Sequence, residues 1–216
     1  MNRLVLASTL AGASLAAGVA NASVIYSNGA YNGTIDAFSY VGFADFAVAD
    51  SFTAAPGATA NSVDFVTWLD PSATVTSVTW SLANGNPLNG GTVFASGTVT
   101  PTDTFIATNE YGFDLENSSI SIGSVPLTGG NYWLELSGGV ASDGGNLFWD
   151  DNNGSSQAWQ SALGSITDYN GIAGSNSEAF SITGTLVPEP TTWALMLVGF
   201  GGLGVALRSR RKFAVA

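Results

Sequence analysis

Residues 75–82 read VTSVTWSL, and the turn-rich residues 84–91, NGNPLNGG, follow them closely. The first stretch alternates apolar and polar residues, and it ends where Asn, Gly and Pro cluster. This pattern predicts a half-buried β-strand that enters a turn. Residues 92–100, TVFASGTVT, form the next such run and predict the strand that follows the turn.

Short runs of the same kind recur on both sides of this segment, while helix-forming residues are scarce. They cover residues 46–52, 63–69, 105–108, 111–115, 120–122, 132–136, 147–149 and 179–186. Strands of 4–8 residues separated by Gly, Asn and Pro turns predict an all-β fold, an antiparallel β-sandwich or jelly-roll-like domain. Residues 152–177 are rich in Gly, Ser and Asn and are predicted to form a long loop.

The N-terminus has the three parts of a signal peptide. Arg3 supplies a positive charge, residues 4–19 are apolar, and Ala20 and Ala22 fit the small-residue rule for cleavage. The sequence therefore predicts a signal peptide over residues 1–22, export by Sec-type machinery, and Ser23 as the first mature residue. An exported domain over residues 23–187 remains, which is ample for a single core.

The C-terminus reads as a membrane segment with a positively charged end. Pro188 and Pro190 prevent a helix from continuing out of the preceding domain. An uncharged stretch follows, for which we predict a transmembrane helix over residues 193–207, although 194–207 spans only about 21 Å of a core of about 30 Å. The basic tail, residues 208–212, should stay in the cytoplasm and stop transfer through Arg208, Arg210, Arg211 and Lys212.

This tail resembles the PEP-CTERM sorting signal in the variant with Trp-Ala shortly after the motif, and the resemblance covers residues 188–216. The matching motif residues are Pro188, Glu189, Pro190, Trp193 and Ala194. Gly199, Phe200, Gly201 and Gly204 match further along the tail. The family's tail also carries the label of an ice-binding-protein C-terminal domain, which describes the tail and does not imply ice binding.

The resemblance implies a particular route for the protein. It implies an exported protein of a Gram-negative, exopolysaccharide-making bacterium, tethered in the inner membrane with its β-domain in the periplasm. An exosortase would recognise the motif and process the tail, and the domain would then reach the cell surface or extracellular matrix. Residues 45–186 also loosely resemble the jelly-roll-like exported domains that often precede this tail.

Charge is distributed very unevenly along the chain. All five Lys and Arg lie in the two targeting segments, whereas residues 23–187 hold no Lys, Arg or His and fifteen of the sixteen Asp and Glu. Such a surface repels phosphates, so nucleic acid is excluded as a partner. It attracts divalent cations, or it simply keeps the protein dispersed. Cys is absent from the whole chain, so no disulfide stabilises the domain.

Few kinds of catalysis are open to a domain of this composition. Without His, Cys or Lys it has no Ser-His-Asp triad, Cys-His pair or Schiff-base lysine. A carboxylate pair of the glycosidase type is the remaining option, with Glu110, Glu116 and Glu135 as candidates. Each of the three is more readily explained as a solvent-facing strand residue. We therefore expect no enzymatic activity and a structural or glycan-associated role at the cell surface.

One stretch combines aromatic rings with short polar side chains. Its candidate ligand residues are Trp149, Asp150, Asp151, Asn152, Asn153 and Trp159. Aromatic rings with carboxylates and amides suit a sugar such as an exopolysaccharide, and the Asp and Asn oxygens also suit Ca²⁺, the one cofactor we consider. The alternative is a polar turn after an edge strand with Trp149 in the core. Exposure of both Trp residues would favour the glycan.

Overall fold

The fold consists of two antiparallel sheets. The computed structural model describes residues 22–32, 37–42, 45–168, 177–186, 195–204 and 208. Within these ranges the β-strands are β1 Ser23–Ser27, β2 Ala37–Ser39, β3 Ala47–Ala54, β4 Thr59–Leu69, β5 Val75–Asn84, β6 Thr92–Val99, β7 Thr102–Thr108, β8 Asp114–Pro126, β9 Gly130–Ala141, β10 Leu147–Asn152, β11 Ala158–Ala162, β12 Ser165–Asp168, β13 Ser177–Glu178 and β14 Phe180–Thr185.

The first sheet, sheet 1, has eight strands arranged around the long strand β4. On one side β4 pairs along its length with β8, which in turn pairs with β7. The other side of β4 is shared, because β14 pairs with residues 59–65 and β10 pairs with residues 67–69. Beyond Trp149, β10 leaves β4 and pairs with β13 instead. At this junction the polar residues Asp151 and Asn152 of β10 lie beside β13, just before β14 begins.

The second sheet, sheet 2, has six strands in the order β12-β11-β3-β9-β5-β6. Strands β5 and β6 are the pair predicted from residues 75–100, and they are joined through a 3-10 helix, Pro87–Asn89. Asn86 caps this helix by accepting a hydrogen bond from the Leu88 N–H. Gly90 ends the helix at φ 81°, a conformation that favours glycine.

One hydrophobic core joins the two sheets. Its largest fully buried side chains include Tyr40, Phe65 and Trp149 from sheet 1 or its connections, and Phe52 and Leu134 from sheet 2. Aromatic rings meet at angles, as between Phe65 and Trp149, whose centroids are 6.1 Å apart. Burial of each such side chain contributes about 1.5–3 kcal/mol. The prediction of an all-β, antiparallel fold is confirmed.

Two details of the strand prediction were wrong. Residues 111–115 and 120–122 were predicted as separate strands, but β8 runs unbroken from Asp114, and Tyr111 lies in the turn before it. The predicted loop over residues 152–177 contains the hairpin β11–β12. Leu163 and Gly164 both take positive φ angles, which closes this hairpin, and β11 extends sheet 2 by pairing with β3.

The targeting segments lie largely outside the described residues. Of the predicted transmembrane helix, residues 195–204 are helical and their large apolar side chains are exposed, and Arg208 is also helical. Within the described parts of the chain, no helix is both long and apolar enough to cross a membrane. Ser23, the predicted first mature residue, begins β1. The signal peptide through residue 21, the motif residues 187–194, and Arg210, Arg211 and Lys212 are not described.

Candidate functional site

The predicted ligand stretch lies in β10, where alternate residues face opposite sides of sheet 1. Leu147 and Trp149 belong to the core between the sheets, so Asp151 faces the same interior. Phe148 packs in a small second cluster on the outer face with Trp68, and Asp150 follows it there. Because β10 continues through Asn152, Asp150 and Asp151 lie on opposite faces of sheet 1.

Asp150 is held by donors on the outer face of sheet 1. One carboxylate oxygen accepts a hydrogen bond from Trp68 Nε1 at 2.6 Å, and the other accepts one from the Asn32 main-chain N–H at 2.9 Å. The side chain is fully buried. Charge-assisted hydrogen bonds of this kind stabilise a buried carboxylate and fix its position. Asp150 is therefore a structural residue that ties the segment after β1 to β10.

Asp50 reaches the same region from the opposite sheet. It lies on β3 in phase with Val48 and Phe52, which places its side chain between the sheets. Its carboxylate accepts hydrogen bonds from the Glu178 N–H at 2.7 Å, Ser156 Oγ at 2.7 Å and the Ser51 N–H at 2.6 Å. Burial raises the pKa of Asp50 to about 7, and these hydrogen bonds counteract the rise.

Asn28 joins the two sheets at this end of the sandwich. Its Nδ2 donates to the Glu178 carbonyl at 2.7 Å and to Asp50 at 3.3 Å, and it also donates to Ser156 Oγ. Its Oδ1 accepts from the Tyr26 hydroxyl at 3.0 Å. Asn152 adds a second amide, which donates to the Asn28 carbonyl at 3.0 Å. Buried polar groups of both sheets thus share one network.

Two further carboxyl groups face the interior beside this network, those of Asp151 and Glu178. Both side chains are fully buried, and Glu178 is in phase with the core residues Phe180 and Ile182. Neither carboxylate oxygen of Glu178 accepts a hydrogen bond from a described residue. Burial raises the pKa of Glu178 well above its usual range, and the negative charges of Asp151 and Asp50 raise it further.

The two Trp residues of the predicted site occupy different environments. Trp149 is 0% exposed and donates from Nε1 to the Ala179 carbonyl at 3.1 Å, so its ring is not available to stack on a sugar. This position corresponds to the alternative in which Trp149 belongs to the core. Trp159 on β11 is partly exposed, and Asn153 is exposed. The structure therefore does not bring the six candidate residues together as one ligand site.

The three glutamates considered for hydrolysis lie on separate elements. Glu110 is exposed in the turn before β8, Glu116 lies on β8, and Glu135 lies on β9 in sheet 2. Burial raises the pKa of both Glu116 and Glu135. None of the three lines either of the two clefts described below.

Two clefts on the described part of the surface each have a volume of about 310 Å³. The first, cleft 1, lies on the outer face of sheet 1 and is lined by Tyr31, Asp64, Ile106 and Asn117 among others. The second, cleft 2, lies beside β3, where Trp133 and Gln157 meet Ser156 of the buried network. Each cleft places an aromatic ring next to short polar side chains.

Sequence reasoning missed Asn28, Asp50, Ser156 and Glu178. A signal for two of them was present, because Asp50 and Glu178 occupy strand positions in phase with apolar residues that face the core. An acidic residue at such a position predicts a buried carboxylate. Nothing comparable marks Asn28 or Ser156, which lie in irregular segments and meet only in the folded chain.

These observations define a two-sheet β-protein with a buried acidic network and an exposed apolar helical segment near its C-terminus. Residues 186–212 match the family model of the PEP-CTERM protein-sorting motif. The chain thus carries a PEP-CTERM sorting signal, as its resemblance predicted, and is an exported protein sorted toward the cell surface. No curated protein matches the chain significantly.

Proposed function

We propose that this chain is a non-enzymatic protein of the cell surface or extracellular matrix, delivered there by exosortase processing of its tail. The match to the sorting motif over residues 186–212 carries this proposal. Before processing, residues 193–207 would tether the chain in the inner membrane, with the domain in the periplasm and the basic tail in the cytoplasm. The lack of His, Cys and Lys in residues 23–187 supports a non-enzymatic role.

The sorting step is tested by cell fractionation combined with intact-mass measurement. We expect the mature wild-type chain to begin at Ser23 and to end near Pro188. A variant with Pro188, Glu189 and Pro190 all replaced by alanine should keep its tail, because the recognition element is lost, and should remain in the inner-membrane fraction. Thr191→Ala combined with Thr192→Ala changes neighbouring positions outside the motif and serves as the control. The proposal would be contradicted if the Pro188, Glu189 and Pro190 variant lost its tail as the wild type and the control do, or if all three chains kept it.

Glycan binding at cleft 1 is a second candidate function. Tyr31 is 39% exposed there, and neither Asp64 nor Asn117 uses its side chain in a hydrogen bond with a described residue. An aromatic ring can stack on the apolar face of a sugar, while a free carboxylate and amide bind its hydroxyl groups. The negative domain would repel an acidic polymer, so the favoured ligand is a neutral glycan.

Tyr31→Ala should weaken binding of a neutral oligosaccharide by about two- to twelvefold, the effect of losing one aromatic contact of about 0.5–1.5 kcal/mol. Binding is measured by calorimetry with oligosaccharides from the producing cells' own exopolysaccharide. Tyr111→Ala is the control, because Tyr111 is also exposed but stacks on Trp68 outside the cleft. If wild-type protein binds no neutral oligosaccharide, or if both variants bind equally well, cleft 1 is not a glycan site.

A further inference from the structure

Glu178 carries a fully buried carboxyl group to which no described residue donates a hydrogen bond. Its own main-chain N–H points to Asp50 and its carbonyl accepts from Asn28, so both main-chain groups are already engaged. Burying an ionised carboxylate without a partner costs free energy, because the charge loses its hydration. Either protonation of the pair or a bound cation offsets that cost, and the two are distinguished by the test below.

The carboxyl group of Asp151 lies against that of Glu178, on the facing strand. The two residues are direct partners in the β10–β13 ladder, and their proximity raises the pKa of Glu178. Asp50 and Asp150 are close enough to add negative charge, but both are already satisfied by their own donors. Residues 23–187 contain no Lys, Arg or His. No side chain of this domain can therefore supply a positive charge to the pair.

We propose that Asp151 and Glu178 bind one Ca²⁺ ion between the two sheets. Carboxylate oxygens are hard ligands that suit Ca²⁺ or Mg²⁺. Burial favours Ca²⁺, because Mg²⁺ retains several water molecules and requires a strict octahedron, whereas Ca²⁺ accepts main-chain carbonyls in flexible geometry. Among the described residues, no group of three or more acidic side chains is placed to hold a metal ion. The two carboxylates alone do not complete a Ca²⁺ shell, so main-chain carbonyls and water would have to supply the remaining ligands.

A Ca²⁺ ion at this position would act as a structural clamp. The ladder between β10 and β13 is only two residues long, and it lies where β10 separates from β4. An ion held by one carboxylate from each strand would fix that short ladder to the core. The Cys-free domain has no disulfide to serve this purpose. This inference concerns the fold of the domain and stands independently of the sorting and glycan proposals.

The test compares thermal unfolding of the full chain, in mild detergent, with EDTA and with millimolar CaCl₂ or MgCl₂. We expect Ca²⁺ at about 100 times its dissociation constant to raise Tm by about 5–10 °C, with a smaller effect of Mg²⁺. Calorimetry should find one Ca²⁺ per chain. Glu178→Gln keeps the size of the side chain and removes its charge, so this variant should fold, lose the Ca²⁺ response, and melt above wild type in EDTA.

Glu116→Gln is the matched control, because it removes one carboxylate on β8, across β4 from β10, and should keep the full Ca²⁺ shift. Terbium luminescence excited through tryptophan gives a measurement that does not depend on melting, and Glu178→Gln should abolish it. The proposal is overturned if wild type neither binds Ca²⁺ nor shifts its Tm, which would mean that protons neutralise the pair. An unchanged Ca²⁺ response of Glu178→Gln would overturn it equally.

Discussion

Trp149→Ala is expected to lower the free energy of unfolding by about 3–5 kcal/mol, the usual cost of deleting a large buried aromatic side chain. Trp149 is fully buried on β10, and its ring meets Phe65 and Phe180 at centroid distances of 6.1 Å and 5.5 Å. Its Nε1 also donates to the Ala179 carbonyl, which would lose this partner. Urea denaturation followed by circular dichroism measures the loss through the transition midpoint.

Trp159→Ala provides a control that deletes the same side chain from a different environment. Trp159 is partly exposed on β11, next to the edge strand β12, and its Nε1 has no hydrogen-bond partner among the described residues. We expect a loss of about 1 kcal/mol, in the ordinary range for a partly buried position. Equal losses for the two variants would contradict the placement of Trp149 at the centre of the core. A larger loss for Trp159 would contradict it more strongly.

The fold could be predicted because strand periodicity and turn residues are local properties. Residues 75–100 show this most clearly, since alternation and the Asn-Gly-Pro cluster fix both strands and the connection between them. The hairpin β11–β12 was missed because Gly, Ser and Asn dominate its surroundings. Its stability comes from pairing with Ala47–Asp50 of β3, far away in sequence. Pairing over such a distance leaves no local pattern to detect.

The candidate site was only partly predictable for a related reason. Residues 150–153 carry the right chemistry for a ligand, but β10 extends farther than predicted and sends Asp150 and Asp151 to opposite faces. The partner of Asp151 is Glu178, which lies immediately before the predicted strand over residues 179–186 and outside the predicted ligand stretch. Register between distant strands decides which carboxylates meet, and local patterns in the sequence do not reveal which distant strands pair.

Asn28→Ala should lower the free energy of unfolding by about 2–4 kcal/mol, because it leaves several buried polar groups without partners. Asn28 is 3% exposed and its amide donates to Asp50, Ser156 and the Glu178 carbonyl. Asn28→Asp should be at least as damaging, because it replaces the shared donor by another negative charge in a region without a basic side chain. Both variants are measured by urea denaturation in EDTA, so that a bound cation does not affect the comparison.

Asn61→Ala separates this buried network from the ordinary effect of losing an amide. Its Nδ2 donates to the Gly123 carbonyl and to Ser124 Oγ, both at 3.0 Å, but this contact is exposed. Water can replace those hydrogen bonds, so we expect a loss below about 1 kcal/mol. We attribute the expected difference between the two variants mainly to solvent access, since Asn28 Nδ2 has three acceptors and Asn61 Nδ2 has two. If Asn28→Ala were as mild as Asn61→Ala, the network could not be what joins the two sheets at this end of the sandwich.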